Sequence, residues 1–191
     1  MRADASRKLD RNALDYYPTP GWATRALFKH APVKLDGTVW EPACGGGHMV
    51  NVLKEQGLNV ISTDVQHDGL DFLTRPAIEC DWIVTNPPFN QAMDFALTAL
   101  KHAKVGVAFF VRYAFLESQA RYYQLFRSHP PQIICQFVER VALVEGRADK
   151  AAGSAVPYVW LIWDKTKPKG PCTFHWVPPC KAQLSKPEDW Y

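Results

Sequence analysis

The tetrapeptide Asn86-Pro87-Pro88-Phe89, directly after the apolar run DWIVT, brings together the groups that would receive a flat ring bearing an NH2 group. Two prolines fix φ and stiffen the turn, and Pro87 has no N–H but keeps its carbonyl. The Asn86 side chain adds a second acceptor and the Phe89 ring a stacking face. Its place at a strand end, downstream of a glycine run, favours such a site over a Pro-Pro turn that merely reverses the chain.

A second cluster lies upstream in WEPACGGGH. Glycines in a strand–helix turn let the backbone approach a ligand without a Cβ, and are expected to expose N–H groups at the helix start. Asp64 follows Gly45 by 19 residues, close to the ~20 at which an acidic side chain can grip ribose hydroxyls. The dinucleotide pattern G-x-G-x-x-G is absent, because Val50 stands three residues after Gly47. The pair points to a nucleoside-containing cofactor, with a plain tight turn and a solvated Asp64 as the alternative.

These clusters need elements to position them. Strand candidates at 37–41, 59–63, 81–85, 105–111, 132–138 and 156–164 alternate with helix candidates at 48–56, 91–102 and 117–128. A further helix is expected near 19–31, with Thr19 as cap and Pro20 in its first turn. Such alternation implies a mostly parallel sheet with helices on both faces. No helix-length segment separates the last two strands, so they are expected to pair antiparallel. Residues 41–47, 64 and 86–89 all fall at the carboxyl ends of strands, where open sheets bind ligands.

Composition bounds the rest. At 191 residues, 47% hydrophobic and 21% charged, the chain suits one α/β domain: an N-terminal arm over 1–15, a folded domain over 16–164 and a Pro/Lys/Trp-rich tail over 165–191, expected outside the sheet. No apolar run reaches the ~18–20 residues of a membrane span, and the N-terminus lacks the apolar core of a secretory signal. A cytoplasmic protein is expected. Cys44, Cys80 and Cys135 read as reduced, buried thiols, and Cys172, His175 and Cys180 match no zinc spacing, so no metal is expected. Net charge is +3, with residues 41–100 acidic and 101–191 basic. That asymmetry suits a polyanionic partner, although uneven surface decoration is the simpler account on charge alone.

The segments YPTP (17–20), EPACGGG (41–47), Asp64, DF (71–72) and NPPF (86–89) occur in the order found in the S-adenosylmethionine-dependent DNA N6-adenine methyltransferases, and the chain resembles that family from Tyr17 to about Trp163. The resemblance implies a single Rossmann-like class I methyltransferase domain, α/β, with a mostly parallel seven-stranded sheet, an antiparallel last strand and helices on both faces. It implies that S-adenosylmethionine is held by Tyr17, Thr19, Glu41, Ala43, Gly45, Gly47, Asp64, Asp71, Phe72 and Asn86. Within that set Thr19 would meet the methionine carboxylate, Asp64 the ribose and Asp71 the adenine amino group. DGLDFL also reads as a loop and short strand. Asn86, Pro87, Pro88 and Phe89 would carry catalysis, with Phe89 stacking on the target base.

Basic and aromatic residues near the expected catalytic edge, Arg112, Tyr113, Arg140, Arg147 and Lys150, suit a nucleic-acid groove and equally a solvated loop. The chain has no room for a separate target-recognition region, so recognition is expected to be short or supplied by a homodimer or a partner subunit. DNA is the expected substrate. RNA adenine, protein glutamine N5 and a non-catalytic binding subunit are the alternatives, whereas Asn rather than Ser at position 86 argues against cytosine N4.

Overall fold

Seven strands form one sheet: β1 (Thr38–Glu41), β2 (Asn59–Ser62), β3 (Trp82–Thr85), β4 (Gly106–Arg112), β5 (Ile133–Phe137), β6 (Tyr158–Asp164) and β7 (Thr173–Val177). The computed structural model describes residues 16–147, 156–168 and 170–190. Spatial order is β2-β1-β3-β4-β6-β5-β7. Strands β1 to β4 pair parallel, β6 runs antiparallel between β4 and β5, and β7 pairs parallel with β5.

Helices cover both faces, as the alternation implied. On one face α1 (Gly21–His30) and α2 (His48–Glu55) place Trp22, Leu27 and Leu53 against Val84, Phe110 and Trp160. On the other, α4 (Ala92–His102) places Phe95, Ala96 and Ala99 against Ile83, Phe109 and Leu161. The short α3 (Val65–Asp68) lies between β2 and β3. Successive residues of β4 and β6 thus serve opposite faces, the period of two that a strand buried on both sides requires. Each such large side chain contributes about 1.5–3 kcal/mol by leaving water. Two of the buried indoles find backbone acceptors: Trp160 Nε1 donates to the Ala23 carbonyl at 3.0 Å and Trp163 Nε1 to that of His129 at 2.9 Å, whereas Trp82 Nε1 has no partner among the described residues.

Three local expectations are corrected. Thr19 does not cap α1; Pro20 holds that position and no side chain caps the helix. The helix expected over 117–128 is preceded by a 3-10 turn at Tyr113–Leu116 and consists of α5 (Gln119–Arg121), capped by Ser118, running into a π-turn over Tyr122–Phe126. The tail is not outside the sheet. Its run Thr173–Val177 forms β7, and Lys181–Leu184 forms α6. Prolines at 171 and 178–179 bracket the strand, and an edge position tolerates them because Pro cannot donate to a ladder on both sides. The antiparallel strand is therefore the expected one at 156–164, while the strand last in chain order is parallel.

The tail is also anchored by charge. Arg25, 7% exposed, donates from Nη1 to both Asp189 oxygens at 2.9 Å and to the Leu184 carbonyl, and from Nε and Nη2 to Glu55. All five cysteines are free thiols; Cys44 is half-buried rather than buried. Among the described residues no helix is long and apolar enough to cross a membrane.

Candidate functional site

The glycine turn joins β1 to α2, and its amides are already committed. Gly45 N–H donates to Asp64 Oδ2 at 2.8 Å, Gly46 N–H to the Tyr16 hydroxyl at 3.1 Å and Gly47 N–H to the Cys44 carbonyl at 2.8 Å. They do not wait for a ligand, as the sequence suggested, and a phosphate cradle needs them free. The turn instead gives shape. Gly45 sits at φ +47°, and a Cβ there would lie 2.4 Å from the Tyr16 ring, so only glycine lets that ring lie on the loop. Gly47, at φ 80°, is the N-cap of α2.

Asp64 closes β2 onto the same turn. Its Oδ1 accepts from the Gln66 N–H at 2.9 Å, capping α3, while Oδ2 holds Gly45. Each oxygen retains a second lone pair for a hydroxyl donor.

Strand β3 delivers residues 86–89 beside this turn. Asn86 Nδ2 donates to the Tyr17 carbonyl at 2.8 Å, which sets the amide's orientation, and Asn86 Oδ1 is buried without a hydrogen-bond partner. The Pro88 carbonyl accepts from the Gln91 N–H at 3.0 Å, whereas the Pro87 carbonyl has no backbone partner among the described residues. Thr19 Oγ1 is likewise buried and unpartnered. Buried polar atoms are nearly always satisfied, so these two cleft atoms are open to a hydrogen-bond partner from a ligand or water.

One cleft of about 260 Å³ takes in Tyr17, Thr19, Glu41, Ala43, Gly45, Asp64, Asp71, Phe72 and all four residues 86–89. Gly47 is not part of its lining. Asp71 turns Oδ1 to the Leu73 N–H at 2.9 Å, and Phe72, 2% exposed, packs on Trp40 and Phe95 as a back wall. Phe89 lies with its centroid 5.2 Å from that of Tyr17, and the Arg112 guanidinium sits 3.8 Å above it. Tyr113 and Arg140 line a separate groove farther along the sheet edge. Arg147 ends a small turn that docks through the Gly146 N–H on the Tyr16 carbonyl at 2.8 Å. Lys150 lies outside the described residues.

Glu41, 1% exposed, accepts from Thr85 Oγ1 and the Ala43 N–H. Burial, helped by nearby Asp64, pushes its carboxyl up to about 8 against the pull of those two hydrogen bonds, so it is neutral at pH 7. Cys44 also lines the cleft, and burial raises its thiol to about 11, which keeps it un-ionised and unsuited to nucleophilic attack. Sequence reasoning missed Tyr16, His48 and Cys44 as cleft residues. The Tyr16-Tyr17 doublet was the available signal for the first; the other two lie inside the run WEPACGGGH, of which only Glu41, Ala43, Gly45 and Gly47 were assigned to the cleft.

The sequence matches no protein-family model and no curated protein. Among solved structures, the "modification subunit of a putative type I restriction enzyme from Vibrio vulnificus YJ016" superposes with a TM-score of 0.55 at 15% identity, over 91% of this chain and 51% of that one. The likeness shows the fold, a Rossmann-like mixed sheet with helices on both faces. The chain spans about half the length of that subunit. Two looser matches are the 23S rRNA methyltransferase ErmE, with a TM-score of 0.47, 15% identity and 81% and 72% coverage of the two chains, and a dimethyladenosine transferase from Plasmodium falciparum, at 0.46, 11%, 78% and 62%.

Proposed function

We propose that this chain transfers a methyl group from S-adenosylmethionine to the N6 amino group of adenine in DNA. The observation that carries the reading is Asn86, pinned through Nδ2 to Tyr17 with its Oδ1 buried and unpartnered, in the cleft it shares with the Asp64–Gly45 turn.

The residues present fit that cofactor. Asp64 offers lone pairs to ribose hydroxyls, Asp71 an acceptor to the adenine amino group, and the unpartnered Thr19 hydroxyl a donor to a carboxylate. Tyr17, Glu41, Ala43, Gly45, Phe72 and Asn86 complete the walls. When bound, S-adenosylmethionine supplies a methyl group made electrophilic by its sulfonium.

An adenine N6 lone pair is delocalised into the ring and is a poor nucleophile. Asn86 Oδ1 and the Pro87 carbonyl accept its two hydrogens, favouring a pyramidal nitrogen and stabilising the positive charge that develops there. The Pro87-Pro88 corner holds both acceptors still, and Phe89 stacks on the base, which must leave its duplex to arrive. Transfer of the methyl group that the bound cofactor would supply would leave a surplus proton on N6, which would pass to water. No covalent nucleophile is required, in keeping with the un-ionised Cys44 thiol.

The test incubates the protein with methyl-labelled cofactor and separate pools of unmethylated DNA, RNA and protein, then maps the modified position. Label at N6 of adenine in DNA is expected. Label on RNA alone or on glutamine, or cofactor binding with no transfer to any pool, would overturn the reading.

A further inference from the structure

An open groove lies on the same sheet edge as residues 86–89, outside the cleft just described. Tyr113 follows β4, Val138 and Arg140 follow β5, Pro157 precedes the antiparallel β6, and Trp176 stands near the end of β7, so all lie at one end of the sheet. The groove exposes apolar rings in a way a folded domain ordinarily avoids. Trp176 is 66% and Phe174 46% exposed, in an edge-to-face pair with centroids 4.9 Å apart. Both point to the same side of β7, since they are two residues apart.

We propose that Tyr113, Phe174 and Trp176 form a stacking subsite for an unpaired base flanking the target adenine, in the strand that carries it. The inference rests on the nucleic-acid reading above and names where that strand runs. Base faces stack on exposed aromatics whatever the sequence, and the rings here present exposed faces at this end of the sheet. Charge agrees: Arg140 lines the groove, and residues 101–191 hold thirteen Lys and Arg against seven Asp and Glu. The groove's own carboxylate, Glu139, is turned to the backbone N–H groups of Cys180 and Lys181. Continuity agrees as well. Arg112 stacks on Phe89 at one end and adjoins Tyr113 at the other, bridging cleft and groove. From β3 to β7 is four inter-strand spacings, about 19 Å. That reach corresponds to about six nucleotides at the stacked rise, and fewer in an extended strand.

The test measures binding by fluorescence anisotropy for single-stranded oligonucleotides that contain one adenine and flanks of about one to eight nucleotides on either side. For the wild-type protein, lengthening one flank past the groove should tighten binding about 5- to 150-fold, the worth of one stacked base. In Trp176→Ala that long-to-short ratio should collapse toward one, Phe174→Ala should reduce it, and Trp176→Phe should restore most of it. A ratio unchanged in Trp176→Ala overturns the inference. So does sedimentation showing that Trp176→Ala splits a wild-type dimer, which would make the rings an interface between copies. Failure of methyl transfer in the pooled assay, with flank-dependent binding intact, would instead remove the catalytic reading and leave the subsite.

Discussion

Asn86 donates its amide hydrogen to the Tyr17 carbonyl at 2.8 Å across 69 residues of chain. The bond decides which end of the amide faces the cleft, because only nitrogen can donate. The chain segment before α1 is thereby a working part of the 86–89 corner. Asn86→Ala removes one of the two acceptors proposed to meet the reacting amine. Removing a single such preorganised partner costs about 10²- to 10³-fold in turnover. A transfer assay should show that loss with cofactor binding largely retained. Asn86→Asp should fail as badly, since an ionised carboxylate would face the Tyr17 carbonyl with no hydrogen to give. Full activity in either variant would end the proposed chemistry.

Asp64 has two tasks, holding Gly45 through Oδ2 and capping α3 through Oδ1. Asp64→Ala strands two backbone donors at the cleft wall and removes the proposed ribose acceptor. Each stranded donor costs about 1–3 kcal/mol where it is shielded from water. Cofactor affinity, read by titration calorimetry, should therefore fall by about tenfold or more. An unchanged dissociation constant would show that Asp64 serves only the turn at Gly45 and the cap of α3.

Much of this arrangement was legible in the sequence, because its signals are local. Residues 41–47 and 86–89 each carry their own turn chemistry, and the apolar period in β4 and β6 reports burial on both faces. Asp64 and Gly45 do meet at one turn, yet the consequence was not visible: the amides thought to be open are taken by Asp64 and Tyr16. Those partners come from elsewhere in the chain, and no pattern within the glycine run announces them. The tail was misread for a physical reason too. Prolines that bracket β7 look like those of an extended linker until an edge strand is allowed for, and Arg25 gives no sign in sequence that it awaits Asp189.

Glu41 makes stability depend on pH with a definite sign. Its carboxyl titrates near 8 in the fold and at 4.5 in its ordinary state, so between those values the folded protein binds more protons than the unfolded. The contribution is complete below about 4.5 and is lost as pH rises through 8. Glu41→Gln keeps a neutral group of the same shape and should abolish that slope. Urea unfolding of both proteins at pH about 5 and about 8.5 should show the variant gaining on the wild type at the higher pH. Parallel pH dependence in the two would mean that Glu41 is not the responsible group.

The Arg25–Asp189 contact ties the last residues of the chain to α1, and it is buried on both sides, with side chains 8% and 3% exposed. Gly21 leaves the space: a Cβ there would fall 2.2 Å from Asp189 Oδ1. Asp189→Ala would leave the guanidinium in its buried setting with only Glu55 and the Leu184 carbonyl as partners. Breaking one side of such a pair costs about 3–5 kcal/mol, and Glu55, a third exposed, places the expected loss at about 3. Gly21→Ala should destabilise through the same contact by displacing Asp189. Because both changes strike one interaction, the double variant should lose less than the sum of the two single losses. Chemical denaturation of the three proteins reads that coupling directly. Strict additivity would mean that Gly21 acts on α1 independently of the tail.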